Sequence, residues 1–248
     1  MKSDNGRMIF FEELPSTNTW ALGHLDELGD GAVVWTRRQT GGRGRLGRVW
    51  SSVENGSLTC SLVVRNVSMI PLAANLGQLA ACAVLDCLWE HGINRGMVKW
   101  PNDVMVDDCK LAGILVEQGK GGGDYVVGVG LNVNLTAEDF TEVGLDRPAV
   151  SMRVVTGKLY DVEKVLAVLA KRFSGWVQRA REEGLNPLWA VWGRHDWLAG
   201  RRVTVAGVDG VVEGAYLGVD EIGRLRIRTI AGAEERFWTG DVERVRVS

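Results

Sequence analysis

The sequence predicts an α+β fold, in which a mixed or antiparallel sheet has helices beside it and a small β-barrel follows. Apolar residues recur at helical spacing over 71–91 and 161–183, which indicates two amphipathic helices. After Trp197 the pattern changes to short strands at regular spacing, separated by glycine turns. We therefore predict two domains, residues 1–196 and residues 197–248.

The composition is that of an ordinary globular protein. Hydrophobic residues make up 46% of the 248 positions and charged residues 24%, which excludes a disordered or collagen-like chain. Lys and Arg total 29 against 31 Asp and Glu, so the formal net charge is −2. The chain as a whole is therefore not a polyanion-binding protein, and any basic site must be local.

Proline and glycine separate the elements of the large domain. A strand over Met8–Leu14 ends at Pro15, and Ser16 or Thr17 caps a helix that runs to about Leu28. The other strands predicted in this domain are Ala32–Thr36, Leu58–Arg65, Val98–Trp100, Val104–Val106, Leu111–Glu117 and Tyr125–Leu135. The other helices predicted there are Pro71–His91, Asp161–Glu183 and Asn186–His195, and the loop is Thr136–Val150. The strands predicted in the small domain are Arg201–Val205, Gly210–Leu217, Leu225–Thr229 and Glu235–Trp238, which fit a β-barrel of about 50 residues.

The four cysteines and three histidines predict neither a disulfide framework nor a zinc site. No two cysteines form a C-x-x-C pair, and the histidines lie far apart in sequence. We therefore expect reduced, buried thiols in a cytoplasmic protein, with no metal site built from its own side chains. Residues 1–7 are polar and precede no apolar signal segment, and polar residues interrupt the apolar stretch 69–89. We accordingly expect neither secretion nor a membrane span.

An arginine- and glycine-rich segment, Arg37–Arg48, stands out from this background. It holds five arginines, four glycines and no acidic residue. Because the arginines repel one another, we expect the segment to be loose when empty and to order around a phosphate-bearing ligand. The alternatives from composition alone are a solvated basic loop or a nucleic-acid surface, and the glycine pattern of a P-loop is absent from the sequence.

A second motif lies in the bend between two predicted strands. Pro101 fixes the bend, and Asn102 and Asp103 are common turn formers, so a plain β-turn is the simple explanation. Lys110, however, opens an apolar strand, a position that packing explains poorly. Gly113 lies on the opposite face from Lys110 in an ideal strand, and its missing side chain would let the backbone approach a ligand. We therefore predict an anionic ligand between Lys110 and the arginines.

Together these motifs resemble the signatures of the biotin–protein ligase (biotin–[acetyl-CoA-carboxylase] ligase) family. The resemblance runs from about Ile9 to the C-terminus, and its blocks occur in the family's order and spacing. The matching blocks are Ser16-Thr17-Asn18, Gly42-Arg43-Gly44-Arg45-Leu46-Gly47-Arg48, Lys99-Trp100-Pro101-Asn102-Asp103, Lys110-Leu111-Ala112-Gly113 and Gly128-Val129-Gly130-Leu131-Asn132-Val133-Asn134.

The resemblance implies a catalytic domain related to class II synthetases, followed by a small SH3-like barrel. It also implies a reaction in which biotin and MgATP form biotinyl-5′-AMP and pyrophosphate. The biotinyl group then passes to one lysine of a biotin carboxyl carrier protein. The implied ligands are therefore biotin, ATP and Mg²⁺.

The resemblance also implies roles for individual residues. Lys110, Arg45 and Asp103 are the implied catalytic residues, with Lys110 acting electrostatically on the biotin carboxylate and α-phosphate. Asp103 as proton acceptor for the incoming lysine is a hypothesis. The implied biotin or biotinyl-AMP contacts are Ser16, Thr17, Asn18, Gln39, Arg43, Gly44, Arg45, Trp50, Lys110, Gly113, Gly128 and Gly130. The implied nucleotide contacts are Arg45, Arg48, Asn102 and Asn132.

Some relatives carry an N-terminal winged helix-turn-helix that binds DNA. The first matching block begins at Ser16, so we expect the short form, which acts only as a ligase. From Leu198 to Ser248 eight arginines balance eight acidic residues, so this tail is not expected to bind DNA either. The expected partner is the carrier protein, without DNA or a membrane, and the sequence leaves open a monomer or a homodimer.

Two alternative functions fit the same residues less well. A lipoate–protein ligase has a related fold and similar chemistry, but the blocks at 43–48 and 99–103 fit the biotin branch better. A non-catalytic module that holds biotinyl-AMP or a partner would be expected to have a broken motif. The residues of the motif are all present: Arg43, Arg45, Asp103 and Lys110.

Overall fold

The computed structural model describes residues 7–143, 148–207 and 210–244. The strands of the larger sheet are β1 (Met8–Leu14), β2 (Val33–Gln39), β3 (Ser57–Val64), β4 (Met97–Lys99), β5 (Asp103–Val106), β6 (Cys109–Gln118) and β7 (Tyr125–Asn132). The helices are α1 (Thr17–Gly23), α2 (Ile70–Ala74), α3 (Leu76–Glu90), α4 (Ala137–Val143), α5 (Met152–Thr156), α6 (Val162–Glu183) and α7 (Asn186–Arg194). The strands of the smaller sheet are β8 (Arg202–Gly207), β9 (Gly210–Val219), β10 (Leu225–Thr229), β11 (Glu234–Phe237) and β12 (Asp241–Arg244).

The larger sheet has the strand order β1-β2-β3-β7-β6-β5-β4. Strands β1 and β2 run parallel and the other neighbouring pairs run antiparallel, which confirms the predicted mixed sheet. Side chains alternate between two cores, because successive residues of a strand point to opposite faces. Val33 and Trp35 join the main core with α3 and α6, whereas Val34 joins a smaller core with α1.

The long predicted helix Pro71–His91 is interrupted at Asn75. Its φ of −112° is not helical, so the segment divides into α2 and α3. The Asn75 side-chain amide donates to the Pro71 carbonyl at 2.6 Å and to the Ile222 carbonyl at 2.9 Å. The break therefore reflects a contact with a distant segment, which helical periodicity does not reveal.

The predicted loop Thr136–Val150 contains helix α4, and its residues 144–147 lie outside the described residues. Thr136 and Asp139 cap this helix reciprocally: Asp139 Oδ2 accepts from the Thr136 N–H at 2.7 Å, and Thr136 Oγ1 accepts from the Asp139 N–H at 3.3 Å. This is a capping box with aspartate in the place of glutamate. The helix predicted to reach Leu28 is also shorter, because α1 ends at Gly23 and a separate 3₁₀ turn follows.

The C-terminal strands form an antiparallel sheet with the order β11-β10-β9-β8-β12. Among the described residues no pairing joins β11 to β12, so the predicted closed barrel is not found and the sheet is open. The turn between β9 and β10 packs on the larger domain, where Trp100 Nε1 donates to the Gly223 carbonyl at 3.0 Å. A Cβ on Gly223 would lie 1.8 Å from Asn75 Oδ1, so only glycine fits there.

The junction of the two sheets also buries a carboxylate, that of Asp196. Its Oδ2 accepts from the Tyr216 hydroxyl at 2.6 Å and its Oδ1 accepts from the Leu198 N–H at 2.9 Å. Burial raises the pKa of Asp196, and these two hydrogen bonds oppose that shift. Within the described ranges no helix is both long and apolar enough to cross a bilayer.

Replacing Tyr216 with Phe tests this junction. We expect the free energy of unfolding to fall by about 1–3 kcal/mol, since a buried carboxylate loses a donor. The pKa of Asp196 is raised in the folded state, so its contribution to stability is present at low pH and is lost as pH rises through that pKa. The Tyr216 hydrogen bond lowers the pKa of Asp196, so that pKa rises further in Tyr216→Phe. The loss of unfolding free energy in this variant should therefore be larger at about pH 8 than at about pH 4 in urea denaturation.

Tyr125→Phe is the matched control, because the Tyr125 hydroxyl accepts only an exposed hydrogen bond from Gln118 among the contacts described. It should change the free energy of unfolding by less than about 0.5 kcal/mol at either pH. Equal losses for the two variants would contradict the role given to Tyr216.

Candidate active site

The predicted site residues converge on one cavity, with the exception of Asn132. The side chain of Asn132 is buried, and its Nδ2 donates to the Val150 carbonyl at 3.1 Å. Asn132 therefore ties the end of β7 to the segment before α5. The predicted residues that line the cavity are Ser16, Thr17, Asn18, Gln39, Arg43, Gly44, Arg45, Arg48, Trp50, Asn102, Asp103, Lys110, Gly113, Gly128 and Gly130.

One end of the cavity is a neutral polar pocket at the start of α1. Ser16 caps the helix by accepting from the Thr19 N–H at 3.3 Å. Gln39 Oε1 accepts from the Thr17 N–H at 2.8 Å and from the Thr17 hydroxyl at 3.1 Å. Since the oxygen of the Gln39 amide is engaged in this way, its Nε2 is the group left to donate to a ligand.

Asn18 forms the floor of this pocket, and its amide orientation is set by three partners. Its Nδ2 donates to the Leu115 carbonyl at 3.1 Å and to Glu117 Oε2 at 2.9 Å, while its Oδ1 accepts from the Ser61 hydroxyl at 2.5 Å. The carbonyl oxygen of Asn18 keeps a second lone pair. The pocket can thus offer both a donor, from Gln39, and an acceptor, from Asn18.

The glycines of β6 and β7 make room for side chains of the protein itself. A Cβ on Gly128 would lie 2.4 Å from Asn18 Oδ1, and a Cβ on Gly130 would lie 2.2 Å from Cε2 of Trp50. The resemblance implies that these glycines contact biotin or biotinyl-AMP. In the structure, the Asn18 amide and the Trp50 indole occupy the space above them.

At the other end of the cavity, Lys110 and Asp103 form an ion pair, with Lys110 Nζ 2.6 Å from Asp103 Oδ1. The expectation that Gly113 lies on the opposite face from Lys110 is wrong. Val104 pairs with Ala112 but Met105 pairs with Lys110, so β6 carries one extra residue at this point. Such a β-bulge reverses the alternation of side chains, and Lys110 Nζ lies 3.0 Å from the position of a Gly113 Cβ.

Residues 43–49 form a small hairpin over the cavity, which we call the flap. Arg43 and Val49 are bridged, and the Gly44 N–H donates to the Arg48 carbonyl at 2.7 Å. Three of the five arginines predicted in the loop belong to the flap. The other two extend β2, where Arg38 pairs with Glu13. The looseness of the empty flap stays a prediction.

The smaller sheet completes the cavity, and sequence analysis missed this contribution. Arg45 donates to Asn102 Oδ1 at 3.2 Å and to Thr239 Oγ1 at 2.6 Å, and Arg48 forms an ion pair with Asp241. Burial lowers the pKa of Arg45, whereas the hydrogen bond to Asp241 raises the pKa of Arg48. Strand β12 lies beyond the last predicted strand, and no local pattern links it to the arginines.

The cavity has an electrostatic character that suits an acidic ligand. Five cationic side chains line the cavity, whereas only two carboxylates do, those of Asp103 and Asp241. One of the five cations is Lys99, to which we assigned no role from the sequence. Cys60 also lines the cavity, but burial raises the pKa of its thiol to about 12. The thiol therefore stays protonated and is a poor nucleophile.

Within residues 7–143, 148–207 and 210–244 no group of three or more His, Cys, Asp or Glu side chains could hold a metal ion. A neutral pocket that continues into a cationic one can hold a polar head group at one end and a carboxylate beside phosphates at the other. The fold and this cavity together suit an enzyme that activates a carboxylate with a nucleotide.

The chain belongs to the biotin/lipoate A/B protein ligase family, whose model matches residues 10–134. It is 36% identical over 233 residues to the biotin–[acetyl-CoA-carboxylase] ligase of Paracoccus denitrificans, covering 88% of this chain and 93% of that protein. It is 32% identical over 230 residues to the enzyme of the same name from Mycobacterium tuberculosis, covering 88% of this chain and 80% of that protein.

A solved structure supports the same relationship. The biotin protein ligase from Aquifex aeolicus, in complex with biotin and ATP, superposes with a TM-score of 0.81 at 27% identity. The match covers 96% of this chain and 99% of that one, so it includes both sheets.

Replacing Gly130 with Ala tests the packing of Trp50. The new methyl group would overlap the indole, and we expect the free energy of unfolding to fall by about 1–3 kcal/mol in urea denaturation. Gly175→Ala is the control, since Gly175 lies in α6 with open space around it. That variant should be more stable by up to about 1 kcal/mol, and a Gly130→Ala protein as stable as the wild type would exclude this packing.

Proposed function

We propose that this protein is a biotin–[acetyl-CoA-carboxylase] ligase that forms biotinyl-5′-AMP from biotin and ATP. It then transfers the biotinyl group to a lysine of a biotin carboxyl carrier protein. The observation that carries this proposal is the single cavity in which the neutral pocket of Asn18 and Gln39 continues into the cationic end at Lys110. The relative from Paracoccus, similar over nearly its whole length, supports it.

The neutral pocket favours the ureido head of biotin. A ureido group has N–H donors and a carbonyl acceptor, and it matches an acceptor on Asn18 and a donor on Gln39. The dithiolane ring of lipoate offers neither kind of hydrogen bond, and it would leave Gln39 Nε2 and the second lone pair of Asn18 Oδ1 without a ligand partner. This difference favours biotin over lipoate, the other substrate in the family's name.

The first step joins two anions, and the cations of the site offset their repulsion. A biotin carboxylate oxygen forms a bond to the α-phosphorus of ATP, while the bond from that phosphorus to pyrophosphate breaks. Lys110 lies where it can stabilise the charge on both groups, and Arg45 extends the positive field toward the phosphates. No covalent enzyme intermediate is required.

Magnesium fits this site as a companion of the nucleotide. Mg²⁺ in nucleotide sites is held by one or two carboxylate ligands together with substrate phosphates, so a dedicated protein cage is not needed. Asp103 and Asn102, at the cationic end of the cavity, would position the metal-bound phosphates. The ion would neutralise phosphate charge when bound.

In the second step, the acceptor lysine must lose a proton before it attacks. The amine nitrogen forms a bond to the biotinyl carbonyl carbon, and AMP leaves with the phosphate oxygen. Asp103 is largely buried beside Lys110, at 14% side-chain exposure, and we assign it the role of proton acceptor. Excluding water from the cavity would protect the mixed anhydride until the carrier arrives.

The proposal extends to the organisation of the chain. The five-stranded sheet is an SH3-like domain in this proposal, with its boundary at residues 196 and 197. The four free cysteines are consistent with the cytoplasm as its compartment. Its macromolecular partner is the carrier protein, with neither DNA nor a membrane, and the enzyme acts as a monomer or a homodimer.

Exchange of labelled pyrophosphate into ATP tests the first step without a carrier protein. We expect exchange with biotin and not with lipoate. Lys110→Ala should reduce the exchange rate about 100-fold or more, since it removes a preorganised charge from the transition state. The control is Lys120→Ala, in an exposed turn, which should leave the rate unchanged. Exchange with lipoate but not with biotin would identify lipoate as the substrate. Exchange at the wild-type rate in Lys110→Ala would exclude a catalytic role for Lys110.

Transfer from preformed biotinyl-5′-AMP tests the role of Asp103 separately. Asp103→Asn should slow the transfer by about 100-fold or more, because the amide cannot accept the proton. Asp107→Asn, on the neighbouring turn and paired with Arg95, is the matched control and should transfer at the wild-type rate. An unchanged rate in Asp103→Asn would exclude the proton-acceptor role.

A further inference from the structure

Glu117 lies near the end of β6, behind the lining of the cavity. It shares a strand face with Gly113 and Leu115, two residues that line the cavity, because alternate residues of a strand point the same way. Its side chain is 23% exposed. None of the sequence motifs identified Glu117, and the chemistry of the proposed reaction does not use it.

The carboxylate of Glu117 contacts both Asn18 and the flap through a single atom. Its Oε2 accepts from Asn18 Nδ2 at 2.9 Å and from Arg43 Nη2 at 2.8 Å. Asn18 lies on α1 and Arg43 lies at the start of the flap, 25 residues further along the chain. One oxygen therefore joins the floor of the pocket to the hairpin that covers it.

We propose that Glu117 is a positioning residue for biotin, which holds the Asn18 amide in its ligand-accepting orientation and anchors the flap at Arg43. This inference rests on the proposed function. A carboxylate can only accept hydrogen bonds, so it selects the Nδ2 end of the Asn18 amide. The oxygen end of that amide is then directed to Ser61 and to the pocket.

The flap has its other anchors on the opposite side. Arg45 is bonded to Asn102 and Thr239, and Arg48 is bonded to Asp241. Arg43 thus ties the beginning of the flap to the larger sheet, and the later arginines tie it largely to the smaller sheet. Loss of the charge on Glu117 should release the flap on the side that covers the neutral pocket.

Steady-state kinetics of Glu117→Gln and Glu117→Ala, in the full-length protein, test this role. Gln keeps an acceptor for Asn18 but loses the charge that Arg43 needs, whereas Ala loses both. We expect the KM for biotin to rise about 3- to 10-fold in Glu117→Gln and about tenfold or more in Glu117→Ala. Because the chemistry occurs at Lys110, kcat for exchange should stay within about twofold and the KM for ATP should not change.

Glu13→Gln is the matched control, because Glu13 on β1 also pairs with an arginine, Arg38 on β2, but this ion pair is exposed and lies at 3.1 Å. It should behave as the wild type in every measurement. A merely structural role for Glu117 would lower the melting temperature, lower kcat and raise both KM values together. That pattern, or an unchanged KM for biotin in both Glu117 variants, would overturn the proposal.

Cleavage of the flap by trypsin gives a readout that does not depend on catalysis, since Arg43, Arg45 and Arg48 are all trypsin sites. Without substrates, Glu117→Gln should be cut in the flap about 3- to 10-fold faster than the wild type and Glu13→Gln. Suppose that the wild type shows biotin-dependent exchange, but Glu117→Gln has the wild-type KM for biotin and is cleaved at the wild-type rate. This result would overturn the positioning role and leave the proposed function standing. Faster cleavage in Glu117→Gln, with no biotin-dependent exchange by the wild type, would support the anchor and overturn the proposed function.

Discussion

The active site depends on one extra residue in the pairing of β5 with β6. Without this bulge, Lys110 would point to the face opposite Gly113, into the apolar core that α3 and α6 cover. A lysine there would lose its hydration without a compensating charge. With the bulge, Lys110 pairs with Asp103 and its Nζ lies over the ring of Trp50, 5.7 Å from the ring centroid, and the cationic end of the cavity is formed. A local irregularity in hydrogen bonding therefore decides which side of the sheet carries the chemistry.

The same sheet also leaves room for large side chains between its strands and a ligand. Gly128 and Gly130 lack side chains, and this leaves space for the Asn18 amide and the Trp50 indole against the backbone of β7. The two ends of the cavity thus share one structural solution. The glycines make the cavity deeper. Asn18 of α1 and Trp50, which follows the flap, then line the space above them.

Short motifs in the sequence allowed most of the site to be predicted, because residues close in sequence, such as 16–18 or 99–103, stay close in any fold. The sequence also predicted the mixed sheet and the long amphipathic helix α6, but it did not predict the break at Asn75 that divides the other long helix. It did not predict the bulge beside Lys110, since an extra residue is visible only when both partner strands are known. It did not identify Glu117 or Asp241 either, as each meets its arginine partner 74 and 193 residues away. The nucleotide role of Asn132 stays a prediction, since its side chain is buried, bonded to Val150 and outside the cavity lining.

The turn that carries Gly223 limits how freely the C-terminal sheet can be exchanged between relatives. Its carbonyl groups at Ile222 and Gly223 are the acceptors for Asn75 and for the indole of Trp100 in the larger domain. A chimaera with a foreign tail that lacked these two carbonyl positions would leave two buried donors unpaired, at a cost of about 1–3 kcal/mol each. The two sheets with their helices are therefore not interchangeable modules, and substitutions on one side of their junction constrain those that the other side tolerates.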